Sequence, residues 1–269
     1  MKTKNIANKT NTPLIDPVKH LTRIPRVVVA MAKEFPDGHR IPLHRHDRAQ
    51  LLYASKGVMT VSTEYGLWVV PPLRAVWIPA EIEHAIECAG NLSMRTLYIK
   101  PDALPWGTLP GKCCVVSISP LMRELILFAT TLPPMDGPDS LEARVMQLML
   151  DLIQTLDVAP LDLPIPRDKR LQKIFREFVK NPADNRTLED WGKLVGATNR
   201  TLARRFKSET QMTFHQWRQQ VRILEALKRL GRGEPVTAIA LDIGYESPSA
   251  FIAMFKKALG KTPGQYFGE

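Results

Sequence analysis

The sequence predicts an α+β multidomain protein: a β-rich N-terminal domain, a helical linker and an all-α C-terminal domain. Three observations carry this prediction. Between 26 and 99 the chain is a series of short β-branched and aromatic runs broken by Pro and Gly, the mark of an all-β barrel or sandwich. From 120 onward apolar residues recur at i, i+3 and i+4, the helical period. The charge is also unevenly divided: 17 basic and 16 acidic residues lie up to Leu163, against 20 and 11 in the 106 residues that follow. Nearly all of the net charge of +10 therefore belongs to the C-terminal part, which points to a polyanionic partner for that part alone.

A chain of 269 residues, 44% hydrophobic and 24% charged, has room for two domains with a core each. That composition excludes collagen, a disulfide scaffold and wholesale disorder. The longest apolar run, 27–32, falls far short of the roughly 20 residues that span a bilayer. Residues 1–13 lack the apolar core and cleavage site of a secretory signal. Cys88, Cys113 and Cys114, an odd number with two adjacent, fit reduced thiols rather than a disulfide framework. A cytoplasmic protein with no membrane partner is expected.

In chain order, 1–20 reads as a flexible polar tail. Residues 21–112 form the β domain, with strands expected at 27–29, 50–53, 58–62, 67–70, 75–78 and 94–99. Residues 113–166 form a helical dimerisation or linker segment, with helices at 120–132 and 140–156. The second aligns Leu141, Val145, Leu148, Met149, Leu152 and Leu156 on one face, either as intramolecular core or as a seam between two protomers. Three prolines in 158–166 forbid a helix there and suggest an extended linker.

Residues 167–269 contain an internal repeat. Phe206-Lys207 recurs as Phe255-Lys256, Thr213 as Thr262, Gln216 as Gln265 and Trp217 as Tyr266, all at an offset of 49, while Val195-Gly196 matches Ile243-Gly244 at 48. Each copy reads as a helix, a glycine turn and a second helix: about 188–209 in the first and 236–259 in the second, with Thr187 and Ser247 as caps and Pro248 at a first helical position. Two helices joined by a tight turn are a helix-turn-helix, whose second helix enters the DNA major groove. The alternative is a plain helical bundle. The first copy's second helix carries Thr198, Asn199, Arg200, Thr201, Ala203, Arg204, Arg205 and Lys207. With Leu202 and Phe206 turned to the core, Arg200, Thr201 and Arg204 face outward, able to read guanine edges and touch phosphate. The second copy presents Ser247, Pro248, Ser249, Ala250 and Ala253 with Lys256 and Lys257, a set suited to thymine methyls and phosphate.

The last hundred residues resemble the DNA-binding domain of the AraC/XylS family of bacterial transcription regulators, and 244–266 fits that family's signature. The resemblance implies seven helices in two helix-turn-helix subdomains joined by a long helix at about 213–230. It also implies base-facing positions at Arg200, Thr201, Ala203 and Arg204, and at Pro248, Ser249, Ala250 and Ala253. No Arg or Gln faces out of the second reading helix, a departure from the family pattern.

In the β domain, His44 and His46 are spaced to share one strand face, with Gln50 and His84 farther on. The spacing of Gly38, His44, His46, Gln50 and Gly57 resembles the first cupin motif with Gln in place of Glu, and Pro79, Glu81 and His84 resemble the second. This implies a jelly-roll barrel able to enclose one ligand. Three readings stay open: the histidines line an organic-effector pocket with Tyr53 and Trp77 and with Trp68 and Arg48 nearby, they hold Zn²⁺, Fe²⁺ or Mn²⁺, or they are structural. Gln50 removes the anionic ligand of a catalytic cupin, so no catalytic residue, metal or cofactor is assigned.

The function expected is a non-enzymatic transcription regulator that binds double-stranded promoter DNA under control of a small-molecule effector, as a homodimer, with RNA polymerase a further partner. The subgroup it resembles controls a neighbouring transporter or efflux gene and its own promoter, and repression is favoured over activation. The alternatives are a metal-dependent cupin enzyme, dioxygenase or isomerase, with an appended DNA-binding domain, and a sequence-independent nucleic-acid binder.

Overall fold

The computed structural model describes residues 24, 26–104, 111–133, 137 and 139–267, so the tail expected at 1–20 lies outside the described residues. Among the described residues, the N-terminal domain is one antiparallel sheet of nine strands with two helices packed on it. β1 (Val28–Phe35) and β2 (Arg40–His44) both pair with β6 (His84–Ile99), and β6 pairs along its length with β3 (Ala49–Ser62). The first half of β3 pairs with β5 (Arg74–Ile78) and its second half with β4 (Gly66–Val70). β7 (Cys114–Ser117) continues the sheet beyond β5.

The two runs expected at 50–53 and 58–62 are thus one strand, interrupted by register shifts around Lys56. Gly57 has φ +77°, and a Cβ there would meet the Asn91 carbonyl oxygen at 2.7 Å. A bulge with a left-handed glycine bends a strand without ending it, so the glycine that reads as a break in sequence is a bulge within one strand.

A second difference concerns 158–166. It is extended as expected, yet it is not a free linker: β8 (Val158–Ala159) pairs with β7, and β9 (Asp162–Pro164) pairs with β4. Pro164 ends the edge strand β9, and Pro160 and Pro166 lie outside the strands, so no missing N–H costs a ladder bond. The segment 113–166 accordingly supplies three strands of the barrel as well as two helices, α1 (Pro120–Ala129) and α2 (Leu141–Ile153).

α1 and α2 cover one face of the sheet, over Leu51, Tyr53, Ala75 and Trp77. On α2 the buried side is Val145, Met146, Met149, Leu150 and Ile153, while Leu141 and Leu148 are 42% and 43% exposed. The expected stripe is therefore divided: Val145 and Met149 are core, and Leu141 and Leu148 join Leu121 and Phe128 of α1 among the exposed apolar residues.

The C-terminal domain has seven helices: α3 (Lys169–Lys180), α4 (Leu188–Val195), α5 (Asn199–Thr210), α6 (Phe214–Gly231), α7 (Val236–Asp242), α8 (Pro248–Leu259) and α9 (Pro263–Phe267). Its apolar core is continuous with the barrel interior. No helix among the described residues is long and apolar enough to cross a membrane.

Candidate nucleic-acid interface and sensor cavity

Local signals place the first helix-turn-helix. Thr187 and Asp190 form a reciprocal capping box at the start of α4, and Gly196, with φ +68°, ends it. Thr198 caps α5 by accepting from the Thr201 N–H at 3.2 Å. Gly192 lets the turn close, because a Cβ there would stand 2.5 Å from the Ala197 carbonyl oxygen. Leu202 and Phe206 are fully buried, with Phe206 5.4 Å from Trp217 between ring centroids.

The second unit repeats this physics. Gly244, with φ +86°, makes the turn after α7, and a Cβ there would lie 2.9 Å from the Ala183 backbone. Ser247 caps α8 through the Ala250 N–H at 3.3 Å, with Pro248 in the first turn. Phe255 stands where Phe206 does and packs 5.8 Å from Tyr266, the counterpart of Trp217. The repeated Thr–Gln pairs are capping interactions, Thr213 with Gln216 at α6 and Thr262 with Gln265 at α9. The repeat in sequence therefore records a repeated core and cap, while the outward residues differ.

On α5, Thr198, Asn199, Arg200, Ala203, Arg204 and Lys207 are exposed. Arg200, Ala203, Arg204 and Lys207 recur at i, i+3, i+4 and i+7, which is one helix face. Thr201 is half-buried, its hydroxyl 3.0 Å from that of Thr198. Arg205 lies off this face: its guanidinium is 3.7 Å from Asp168 and 4.0 Å from Glu209. Asp168 caps α3, and Arg170 beside it holds its carboxyl down at about 2. On α8, Ser249, Ala250, Ala253, Lys256 and Lys257 are exposed and Pro248 and Ser247 partly so. One protomer thus carries two outward helix faces, the first rich in donors and the second small with lysines at its end.

In the barrel, His44, His46, Gln50 and His84 come together and are all buried. One ring nitrogen of each histidine lies within 4.8 Å of the others. His44 ends β2 and pairs across the ladder with His84 of β6, and Gln50 donates to Thr96 Oγ1 at 2.9 Å. Burial, with His44 and His46 alongside, pulls His84 down to about 3, so its ring is neutral. Tyr53 and Trp77 do not join this group. Residues alternate across a strand: Gln50 and Leu52 face the barrel interior, so Leu51, Tyr53 and the paired Trp77 face α1 and α2. Arg48 is committed to the carbonyl oxygens of Ile24 and Arg26.

A separate cavity of about 460 Å³, which none of these histidines lines, is walled among others by Tyr65, Trp68, Ile82, Cys113, Val115 and Asp162. Burial raises the carboxyl of Asp162 and pushes the thiol of Cys113 up to about 12. Sequence reasoning placed Trp68 near the histidines rather than in this cavity, and missed Asp162, Cys113 and Val115. The alternation of Leu161 and Leu163 with Asp162 is the signal that places Asp162 on a strand facing a cavity. The same strand touches the C-terminal domain, since Gln220 of α6 donates to the carbonyl oxygens of Pro160 at 2.7 Å and Asp162 at 3.1 Å.

Residues 191–269 match a family model described as a helix-turn-helix domain, and 28–128 match one described as an AraC-like ligand binding domain. The chain is 37% identical over 225 residues to the HTH-type transcriptional regulator NimR of Escherichia coli K12, covering 84% of this chain and 81% of that protein. It is 28% identical over 256 residues to the HTH-type transcriptional activator RhaR of Klebsiella pneumoniae, covering 88% and 91%. Over 221 residues it is 23% identical to RipA of Corynebacterium glutamicum, also an HTH-type transcriptional regulator, covering 81% of this chain and 61% of that one.

Proposed function

Since this chain belongs to the AraC family of DNA-binding transcription regulators, we propose that it represses an adjacent transporter or efflux gene and its own promoter until a small-molecule effector occupies its barrel. The observation that carries the DNA reading is the exposed row Arg200, Ala203, Arg204 and Lys207 on α5, repeated in position by Ser249, Ala253 and Lys256 on α8. Arg200 and Arg204 read guanine edges, and α8 supplies methyl contacts and phosphate anchoring. The two helices enter successive major grooves about one helical turn apart. Repression by occupancy needs no contact with RNA polymerase.

The effector site we assign is the cavity beside β9. Aromatic and apolar walls with the half-buried Asp162 and with Lys112 suit a compact, largely apolar ligand. The route to DNA is support for this choice: β9 carries Asp162 on the cavity side and holds α6 through Gln220, and α6 joins the two helix-turn-helix units. An effector that fits one placement of β9 better than another shifts DNA affinity by that difference, and DNA shifts effector affinity equally. The exposed Leu141 and Leu148 of α2, with Leu121 and Phe128 of α1, form the seam of a homodimer.

Competition binding tests the reading. The protein is expected to prefer its own upstream DNA over bulk DNA by about 10³-fold or more, and equal affinity for both would contradict it.

A further inference from the structure

We propose that Arg222 of α6 is a positioning residue that sets the angle between the two reading helices, and through it the spacing of the two half-sites that one protomer accepts. The proposal rests on the reading in which α5 and α8 enter successive major grooves.

Two reading helices on one chain act together only if their separation and rotation match the duplex. One base pair more or less moves a half-site by about 3.4 Å along the axis and turns it by roughly 35°. α6 joins the two units, yet a helix between two lobes fixes their distance and leaves each able to roll about it. A contact from lobe to lobe is needed to stop the roll.

That contact lies at the middle of α6, where Arg222 is 7% exposed. Its Nε donates to the Pro182 carbonyl oxygen at 3.0 Å, and its Nη2 donates to Asn185 Oδ1 at 2.8 Å and to the Asp184 carbonyl oxygen at 3.4 Å. All three oxygens belong to the loop between α3 and α4, which leads into the Thr187 cap of the first helix-turn-helix. The same guanidinium serves the second unit. Its carbon stands 5.4 Å from the centroid of the Tyr245 ring, and that ring packs 5.6 Å from Phe251 of α8. Gly244 completes the junction, since a Cβ there would lie 2.8 Å from Arg222 Nη2 and 2.9 Å from the Ala183 backbone. The turn of the second unit thus touches the loop of the first, and one side chain holds both.

The chemistry fits positioning better than adhesion. Burial, with Arg218 alongside, lowers the Arg222 guanidinium below its usual value, and none of the three oxygens is a carboxylate. Asp184 offers only its backbone, its carboxylate being taken by Arg186. A buried charge held by neutral oxygens costs stability relative to an apolar side chain of similar volume. What a guanidinium supplies is a rigid planar fork whose donors reach several acceptors at fixed angles.

The test uses full-length protein and its own operator, footprinted and then altered by one base pair inserted or deleted between the segments that α5 and α8 contact. Wild type should bind either altered operator at least about tenfold more weakly, the order of one mismatched base pair. Arg222→Met should weaken binding to the native operator and lose most of the spacing penalty, while keeping base preference within each half-site. Arg222→Lys should do the same, because an ammonium keeps the charge without the fork. Asn185→Ala, at an exposed position, and Tyr245→Leu loosen the junction from its two sides and decide the matter where Arg222→Met fails to fold. Folded variants that lose affinity equally at all three spacings, or keep the wild-type profile, would overturn the proposal alone. Wild-type protein indifferent to spacing would contradict the two-groove reading, and the proposal with it.

Discussion

Gly90→Ala probes how the barrel is coupled to the DNA-binding domain. Gly90 has φ +74° and faces the last turn of α6 backbone to backbone: a Cβ there would stand 2.0 Å from the Gly231 carbonyl oxygen. Gly231 is equally confined, since its own Cβ would meet Val58 Cγ2 at 2.5 Å. Beside them Asp37 ties the two domains, accepting from the Gly90 N–H at 2.7 Å and from Arg232 Nε at 3.2 Å. An alanine at 90 takes a left-handed backbone at about 1–2 kcal/mol. Opening the contact to an ordinary distance moves α6 off the sheet by about 1 Å, at about 1–3 kcal/mol of overpacking strain. The sum is about 2–5 kcal/mol. Gly38→Ala separates the two costs, because Gly38 has φ +73° with nothing within 4 Å, so only the backbone cost remains. Calorimetry and limited proteolysis read the outcome. Gly90→Ala should split thermal unfolding into two transitions and expose the end of α6 to protease, whereas Gly38→Ala should lower a single transition slightly. If the two variants behave alike, the glycine contact does not couple the domains.

Leu148→Asp places a charge in the exposed apolar seam of α2 without touching the buried side of the helix, so sedimentation should return a folded monomer; an unchanged dimer mass would move the interface elsewhere. At the entry to α3, the folded carboxyl of Asp168 sits at about 2 because Arg170 holds it ionised, against an ordinary value near 3.8. A depressed acid adds stability above pH about 4 and loses it as pH falls towards 2. Asp168→Asn, which keeps the cap, should flatten the urea midpoint across that window. Asp168→Ala should in addition lose about 0.5–2 kcal/mol at neutral pH.

The C-terminal domain was legible almost residue by residue because its determinants are local. Thr187, Thr198 and Ser247 cap helices, Gly196 and Gly244 occupy left-handed turns, and each signal acts within one or two turns of itself. Where a long-range partner acts, the sequence is silent: Arg205, still 47% exposed, has its guanidinium 3.7 Å from Asp168. The barrel shows the same division. β1 and β3 to β6 announce themselves by β-branched runs, but β2 and β7 to β9 do not, nor does the pairing, and Gly57 breaks the pattern while the strand runs on. The histidines were found by spacing because a ladder brings His44 and His84 face to face. Tyr53 and Trp77 were assigned to that pocket although strand alternation from Gln50 turns them the other way. The cavity was missed because its walls come from β4, β7 and β9, and only their pairing in the folded sheet brings Trp68, Val115 and Asp162 together.

On the proposed function, α5 reads bases while α8 chiefly anchors. The most direct measurement is a base-preference profile of Arg204→Ala and Lys256→Ala on the chain's own operator over a range of salt. Arg204→Ala should cost about 1–3 kcal/mol on the operator and relax one base position, while Lys256→Ala should weaken all sequences alike and lower the salt slope by about one. An Arg204→Ala variant that keeps the full base preference of the wild type would contradict the account.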